Sequence, residues 1–462
     1  MGSDGRTESP PYCTYSSLPS PHFRNFAFVR TLKPVFIHTL VLVIIGVYLF
    51  SFEYLPLQDY PDWLYQGHLF NQYFFHGNDF GGYFTFHGYI PPNGASTIGI
   101  GLLSLIVSPF IAGKLFLFVA LGLMYFGCDH YLQHFAKTKR ITNTIVALYF
   151  VFNLHFLIGN ISFLFGLGFA LTSFCYLYKR SRLESWYYQI PFILICYLSH
   201  FFALAIFLLL IAVYTNKEDR KLTYRNVIIS SLPTTMIFIH YWMNKTISTF
   251  NPENLESTPL QMFMAKLTVV SVTSIPFHRY KAVWEPTDLF KYINYSVAAA
   301  AVIALIVAIV MILWKRNWSR ESIIISIIFI LLITLPYEIA GLYFPAERFM
   351  ILLFLVMIAF FSGQWSVTSG QLLKRVVFGA FAILTLSSLG YNYLMFGNYN
   401  NMLSKVDIPN EKILGEYSRR EGTDPFTRLG YYEAISKMQS MPIFTTALFT
   451  YRGANPSSFD GK

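Results

Sequence analysis

One apolar stretch decides the fold class: VFIHTLVLVIIGVYLFSFE, from Val35 to Glu53. A helix of about 20 such residues is long enough to cross the roughly 30 Å hydrocarbon core of a bilayer. The chain then continues as LPLQDYPDWLYQGHLFNQYFF, from Leu55 to Phe75, which carries two aspartates and neither lysine nor arginine. The sequence therefore predicts a membrane-spanning helix that opens into a polar loop.

The composition of the chain supports a polytopic membrane protein. Apolar residues make up 54% of the 462 residues and charged residues 13%, whereas globular domains carry about 25% charged residues. The net charge of +10 then reflects basic loops on one side of a membrane. We expect an all-α fold, a polytopic transmembrane helical bundle, with the lipid bilayer as a partner and no nucleic acid.

The apolar runs predict about 11 membrane spans. Several are short, and the fifth and sixth could instead form one long tilted helix. The predicted spans are 35–53, 111–131, 141–158, 161–178, 187–199, 201–215, 226–243, 292–314, 321–341, 348–363 and 374–395.

The segment at 95–109, ASTIGIGLLSLIVSP, is also apolar, and the basic residues decide how it is interpreted. If it does not cross, all basic clusters fall on the cytoplasmic side, as the positive-inside rule requires. If it crosses, every cluster after the first moves outside. We therefore expect a non-spanning or re-entrant helix, a cytoplasmic amino terminus and an external carboxy terminus.

This topology divides the chain into three parts. Residues 1–30 are rich in Ser, Pro and Gly and predict a disordered cytoplasmic tail. Residues 31–395 form the transmembrane domain, with long external loops at 53–110 and 244–291, the first of which carries juxtamembrane helices. Residues 396–462 form an external tail that we expect to pack on the outer loops.

Several segments, in the same order, resemble a group of large bacterial membrane proteins. They are QDYPDWL, GNISFLFGLGFALTSFCYLYKR, YLSHFFALAIFLLLIAVY, ERFMILLFLVMIAF and RGANPSSFDGK. Together with the aspartate that opens the first loop, they make the chain similar to the GT-C superfamily of membrane glycosyltransferases. The resemblance implies a GT-C-like fold in the bacterial inner membrane. It also implies transfer of a sugar from a polyprenyl-phosphate donor to a glycan, lipid or protein acceptor at the outer face.

Such a transfer, with inversion, needs a carboxylate to accept the proton of the acceptor. Asp59 is the candidate base, because it lies a few residues past the first span, at the depth of a membrane-anchored phosphate. The alternative interpretation is that Asp59 or Asp62 only caps the following helix. Some family members carry a second acidic motif on the next external turn, but here that turn is IGNIS, at 158–162. We therefore expect no cofactor and no obligatory metal, with a divalent metal left as an alternative.

Four further residues are candidates for substrate binding: Asp62, His200, Glu338 and Arg348. Arg348 suits the leaving phosphate, since a guanidinium can bind it through two hydrogen bonds, with Glu347 as an anchoring partner; otherwise it is an interfacial arginine. Glu338 is predicted near the end of an apolar helix, where an ionisable group usually faces a cavity or a partner; otherwise it is exposed at the interface or pairs with Arg348 in a structural role. His200 lies between two short spans, where it is either part of a cavity or a hydrogen-bonded structural residue.

Three other function classes stay open. A polysaccharide polymerase or ligase usually relies on a large arginine-rich loop late in the chain, and here the loop 244–291 offers Arg279 and Lys281. A lipid or glycan transporter would place charged residues near the bilayer midplane, whereas here they cluster towards one face. A non-catalytic subunit of an envelope-assembly system fits the missing second acidic motif. Because Asp59, His200, Glu338 and Arg348 share one predicted depth, we expect these four residues to converge on one outer-face pocket.

Overall fold

The computed structural model describes fewer residues than the sequence contains. The described residues are 34–57, 59–77, 84–86, 88–136, 138–244, 259–278, 286–316, 318–336, 338–339, 342–343, 345–364, 370–404 and 449–451. The chain divides into two compact units, residues 1–44 and 45–462. The described part of the first unit is the beginning of helix α1, and the second unit holds the remaining elements. The predicted tail at 1–30 lies outside the described residues.

The fold is all-α apart from four strands of two or three residues. The helices are α1 (Pro34–Phe50), α2 (Tyr60–His76), α3 (Gly94–Leu103), α4 (Pro109–Phe135), α5 (Arg140–Val151), α6 (Leu154–Ile158), α7 (Ile161–Lys179), α8 (Trp186–Ser199), α9 (Phe201–Tyr214), α10 (Arg220–Asn244), α11 (Pro259–Ser274), α12 (Asp288–Lys315), α13 (Arg320–Thr334), α14 (Met350–Gln364) and α15 (Gly370–Ser404). A 3-10 helix at Pro345–Phe349 leads directly into α14.

Within the described residues, six helical segments are long and apolar enough to cross a membrane. They are Pro109–Phe135, Arg140–Ile158, Ile161–Lys179, Asp288–Lys315, Pro345–Gly363 and Val376–Asn401. Three shorter apolar helices, α1, α3 and α9, fall below that length. A helix lies at each of the eleven predicted spans, so the helical membrane-protein class is supported. The number of crossings and their direction stay predictions.

The core of the second unit is built where α4 and α7 approach closely. A β-carbon added to Gly168 of α7 would lie 2.3 Å from the backbone nitrogen of Met124, so only glycine allows this contact. Thr172 of α7 donates a 3.4 Å hydrogen bond to the carbonyl of Leu123. Because α6 directly precedes α7, this packing also fixes the turn from which the candidate site is built.

The first long loop contains two helices that pack on each other. The amide of Asn71 in α2 donates to the carbonyl of Gly101 in α3 at 3.1 Å, and both groups are buried. Helix α3 covers only part of the predicted segment 95–109 and has 10 residues, which is about 15 Å at 1.5 Å per residue. That length is too short for a helix to cross a hydrocarbon core of roughly 30 Å.

The short strands form two antiparallel pairs. Strand β1 (Phe84–Phe86) pairs with β4 (Phe449–Tyr451), so part of the carboxy-terminal tail lies against the first long loop. Strands β2 (Glu338–Ile339) and β3 (Leu342–Tyr343) pair with each other. The predicted tail boundary at 396 falls inside α15, which continues to Ser404.

One sequence prediction about a helix was wrong. The predicted span 321–341 ends early, because α13 stops at Thr334. Leu335 is extended, with φ −62° and ψ 133°, as expected for a residue that precedes proline, here Pro336. The predicted external loop at 244–291 contains a helix, α11, and its place outside the membrane stays a prediction.

Candidate functional site

The centre of the candidate site is the guanidinium of Arg348, in the 3-10 helix before α14. Its Nη1 donates to Nδ1 of His155 at 2.7 Å. With the amide of Asn160 oriented so that its oxygen faces the guanidinium, that oxygen accepts from Nη1 at 2.7 Å and from Nη2 at 3.2 Å. The guanidinium also lies over the ring of Phe163, with its carbon 5.4 Å from the ring centre. Arg348 is therefore held in one orientation by residues of α6, α7 and the turn between them.

His155 and Asn160 are brought into place by the way α6 begins and ends. The side chain of Asn153 accepts hydrogen bonds from the backbone nitrogens of His155 at 2.7 Å and Phe156 at 3.2 Å. At the other end Gly159 has φ +84°, and the nitrogen of Asn160 donates to the carbonyl of His155 at 2.9 Å. This single capped turn points His155 and Asn160 at the same guanidinium.

Glu347 lies beside this group and is buried. Its Oε1 is 3.8 Å from Nδ1 of His155, and the His155 side chain is only 1% exposed. A carboxylate in such surroundings is costly unless a cation lies close by. The neighbouring Arg348 supplies that charge, and Glu347 is the acid with the larger electrostatic effect on Arg348. The anchoring role of Glu347 stays a prediction, since its Oε1 makes no hydrogen bond among the described residues.

Asp59 reaches the same place from the first long loop. Its backbone nitrogen donates a 2.7 Å hydrogen bond to the carbonyl of Ile158, at the end of α6, and its charge acts on Arg348. Asp59 occupies the N-cap position of α2, but its side chain makes no capping hydrogen bond there. The Asp59 side chain therefore lacks the hydrogen bond that the capping interpretation requires, while its charge acts on Arg348.

His200 lies between α8 and α9, and its extended backbone, with φ −169° and ψ 136°, ends one helix and starts the next. The alternative in which 187–199 and 201–215 form one long tilted helix is therefore wrong. Its Nδ1 accepts from the nitrogen of Phe202 at 3.1 Å, and its ring meets Phe163 at 5.1 Å. Burial lowers the pKa of His200 well below its usual range, and the charge of Arg348 lowers it further. The ring is therefore neutral near pH 7.

The structure thus brings three of the five predicted site residues together: Asp59, His200 and Arg348. Asp62 lies in the first turn of α2, and the acids whose charges act on Arg348 are Glu347 and Asp59 rather than Asp62. Glu338 was predicted near the end of an apolar helix, but its backbone lies in strand β2. The side chain of Glu338 lies outside the part of the chain that the structure describes.

The sequence interpretation missed His155 and Asn160. His155 lies inside the predicted span 141–158, where an ionisable residue is a signal of function in itself. Asn160 belongs to the turn IGNIS, which contains no acidic residue and so carries no signal for a carboxylate-based site. The signal for both is the polar side chains on either side of the apolar run Phe156–Ile158.

Two further findings concern metal binding and similarity to known proteins. In this part of the chain, no group of three or more His, Cys, Asp or Glu residues is placed to hold a metal ion. Comparison with protein-family models, with curated proteins and with solved structures finds no match to this chain.

Proposed function

We propose that the chain is a membrane glycosyltransferase of the GT-C type, which takes a sugar from a polyprenyl-phosphate donor. One observation carries the proposal: the Arg348 guanidinium, held by His155 and Asn160, lies within the electrostatic reach of the Asp59 carboxylate. This observation supports the proposal, because the reaction needs a cation for the phosphate and a nearby carboxylate that can accept a proton.

Arg348 supplies the phosphate-binding part of the site. A guanidinium has five N–H donors and no acceptor. The contacts to His155 and Asn160 use both N–H groups of Nη1 and one N–H group of Nη2. The remaining N–H groups can bind an anion. Such charge-assisted bonds to phosphate oxygens are roughly twice as strong as neutral ones.

Asp59 supplies the base. In the proposed reaction the acceptor hydroxyl gives its proton to the Asp59 carboxylate while its oxygen attacks the anomeric carbon. The bond from that carbon to the phosphate oxygen breaks, and the lipid phosphate leaves with the electron pair. Arg348 stabilises the negative charge that develops on the leaving phosphate. Attack on the face opposite the leaving group inverts the anomeric carbon.

The proposal includes the topology predicted from the sequence. Eleven spans, a cytoplasmic amino terminus and an external carboxy terminus place Asp59, His200 and Arg348 at the outer face of a bacterial inner membrane. In this arrangement α2 and α3 are juxtamembrane helices of the first external loop. The short length of α3 supports it, because a further crossing there would reverse every later basic cluster.

Binding and turnover by purified protein in detergent test the proposal. The protein should bind decaprenyl phosphate more tightly than decaprenol, and it should release sugar from at least one member of a panel of radiolabelled decaprenyl-phosphate pentoses and hexoses. Equal affinity for the phosphate and the alcohol would remove the lipid-phosphate site. Discrimination without turnover of any donor would favour a non-catalytic subunit or a transporter.

A further inference from the structure

His155 offers a hydrogen-bond donor that its contacts with Arg348 do not use. Guanidinium nitrogens donate and never accept, so the 2.7 Å contact from Nη1 of Arg348 makes Nδ1 of His155 the acceptor. A neutral imidazole carries its single proton on the other nitrogen. The proton of His155 is therefore on Nε2.

The Nε2 atom is buried and has no hydrogen-bond partner among the described residues. The whole residue is 1% exposed. Buried polar atoms are nearly always hydrogen-bonded, and one that is not calls for an explanation, because leaving a donor unpaired costs free energy. The backbone of Glu347 is close to the same ring, yet it makes no hydrogen bond with Nε2.

The ring cannot easily turn to satisfy this donor elsewhere. The backbone of His155 is fixed by the cap from Asn153 and by the bond from Asn160. The ring packs edge-on against Phe163, with 4.7 Å between the ring centres. A flipped ring would lose the acceptor that holds Arg348. The position of the Nε2 proton is thus set by the same contacts that orient the guanidinium.

We propose that Nε2–H of His155 is a second ligand-binding donor, which binds a non-bridging oxygen of the phosphoryl group held by Arg348. This role rests on the proposed lipid-phosphate function. It makes His155 a binding residue and not only a support for the arginine. A neutral donor beside a cation adds a directed hydrogen bond without adding charge, which suits a site that already contains Asp59 and Glu347.

Two substitutions separate the two nitrogens of His155. An asparagine amide reaches about as far as Nδ1, so His155→Asn keeps an acceptor for Arg348 and removes the donor at Nε2. A glutamine amide reaches about as far as Nε2, so His155→Gln keeps that donor and gives up the acceptor at Nδ1. The readouts are equilibrium binding of decaprenyl phosphate and of decaprenol in detergent, with the melting temperature of each variant.

We expect His155→Asn to weaken decaprenyl phosphate binding on the order of tenfold, since a hydrogen bond to a charged group is lost. Decaprenol binding should not change in either variant, and His155→Gln, which keeps the donor but gives up the acceptor for Arg348, should lose clearly less decaprenyl phosphate affinity than His155→Asn. The reverse order, with normal binding by His155→Asn and weak binding by His155→Gln, would overturn the proposal and leave His155 as a support for Arg348. Normal binding by both variants would overturn it as well.

A measurement on the wild-type protein does not depend on how the variants fold. In protein labelled with 15N-histidine, the Nε2 resonance of His155 should shift on addition of decaprenyl phosphate and not of decaprenol. An unchanged resonance at saturating decaprenyl phosphate would overturn the role of His155 alone. If wild type does not distinguish the two lipids, the proposed function itself fails, and that result is separate from either outcome for His155.

Discussion

The backbone nitrogen of Asp59 donates a 2.7 Å hydrogen bond to the carbonyl of Ile158, which joins the first long loop to the turn between α6 and α7. The next residue, Gly159, has φ +84° and leaves room for this contact. A β-carbon there would lie 2.7 Å from the nitrogen of Tyr60 and 2.9 Å from that of Asp59. The loop that carries the proposed base is therefore positioned by a glycine about 100 residues further along the chain.

The first prediction concerns this glycine. Gly159→Ala adds left-handed strain of roughly 1–3 kcal/mol and forces the Asp59 backbone away from Ile158. Gly77→Ala is the matched control, since Gly77 has φ +66° and nothing lies within 4 Å of an added β-carbon. We expect Gly159→Ala to lower the melting temperature in detergent clearly more than Gly77→Ala, and to weaken decaprenyl phosphate binding. Equal effects of the two variants would show that the close approach has no consequence.

The second prediction concerns the shape of the Arg348 contact. Arg348→Lys keeps the positive charge but loses the planar fork that meets His155 and Asn160. We expect at least about a tenfold loss of decaprenyl phosphate affinity. Arg320→Lys is the control, because Arg320 also donates to an asparagine, Asn216 at 2.9 Å, and also lies over an aromatic ring, that of Tyr214. A loss of affinity in both variants would indicate a general effect on folding.

Part of this arrangement could be predicted from the sequence. Asp59 follows a hydrophobic run, His200 separates two short apolar runs, and Arg348 precedes another. Each is a polar residue at the end of an apolar segment, and residues at the same depth of a helical bundle can meet. The hydropathy pattern predicts the depth of a residue in the membrane, so it also predicts that these three residues lie at a similar depth.

Other parts depend on packing that hydropathy does not report. The pairing of Arg348 with His155 and Asn160 depends on the capped single turn of α6 and on the close contact of α7 with α4. Glu338 was misplaced because a run of apolar residues continues past Thr334, although Pro336 is a local signal against a helix. The hydropathy pattern gives the length of an apolar run, whereas the end of a helix is decided by individual residues such as proline.

The third prediction concerns acid stability. Burial lowers the pKa of His278 from its ordinary value of 6.5 to about 4, so the unfolded chain takes up this proton at a higher pH than the folded one. The neutral form contributes its full stability above about pH 6.5, and that contribution is lost as pH falls from about 6.5 towards 4. At pH 5 the loss is about 2 kcal/mol.

Substitution of His278 tests this effect. His278→Asn removes the titrating group and keeps a polar amide next to the backbone of Ile275, which acts on the ring. We expect the difference in melting temperature between pH 7.5 and pH 5 to be smaller in this variant than in wild type. His240→Asn, at an exposed position of α10, should leave the difference unchanged. A difference in His278→Asn as large as that of wild type would contradict the prediction.

The fourth prediction concerns topology. Single cysteines at His76, at the exposed end of α2, and at Glu218, in the exposed turn before α10, are placed in a background in which the four native cysteines are replaced. A membrane-impermeant maleimide added to intact cells should label the cysteine at position 76. The cysteine at position 218 should be labelled only after the membrane is permeabilised. Labelling of position 218 in intact cells would refute the positive-inside assignment.

The last prediction concerns the proposed base. Asp59→Asn keeps the size of the side chain and removes the charge that a base must carry. Because Asn caps a helix about as well as Asp, and because the Asp59 side chain makes no capping hydrogen bond, the fold of α2 should persist. Transfer from the decaprenyl-phosphate sugar that wild type uses should fall by roughly 10² or more, the usual scale for a lost general base.

Asp62→Asn is the matched comparison for the base, since Asp62 lies in the same helix three residues later and is not among the acids that act on Arg348. Its turnover should stay near that of wild type. Decaprenyl phosphate should bind Asp59→Asn at least as tightly as wild type, because removal of a negative charge beside Arg348 cannot repel an anion. Equal and mild losses of turnover in both variants would exclude Asp59 as the base. Lost binding in Asp59→Asn alone would show instead that Asp59 is needed to hold Arg348 in place.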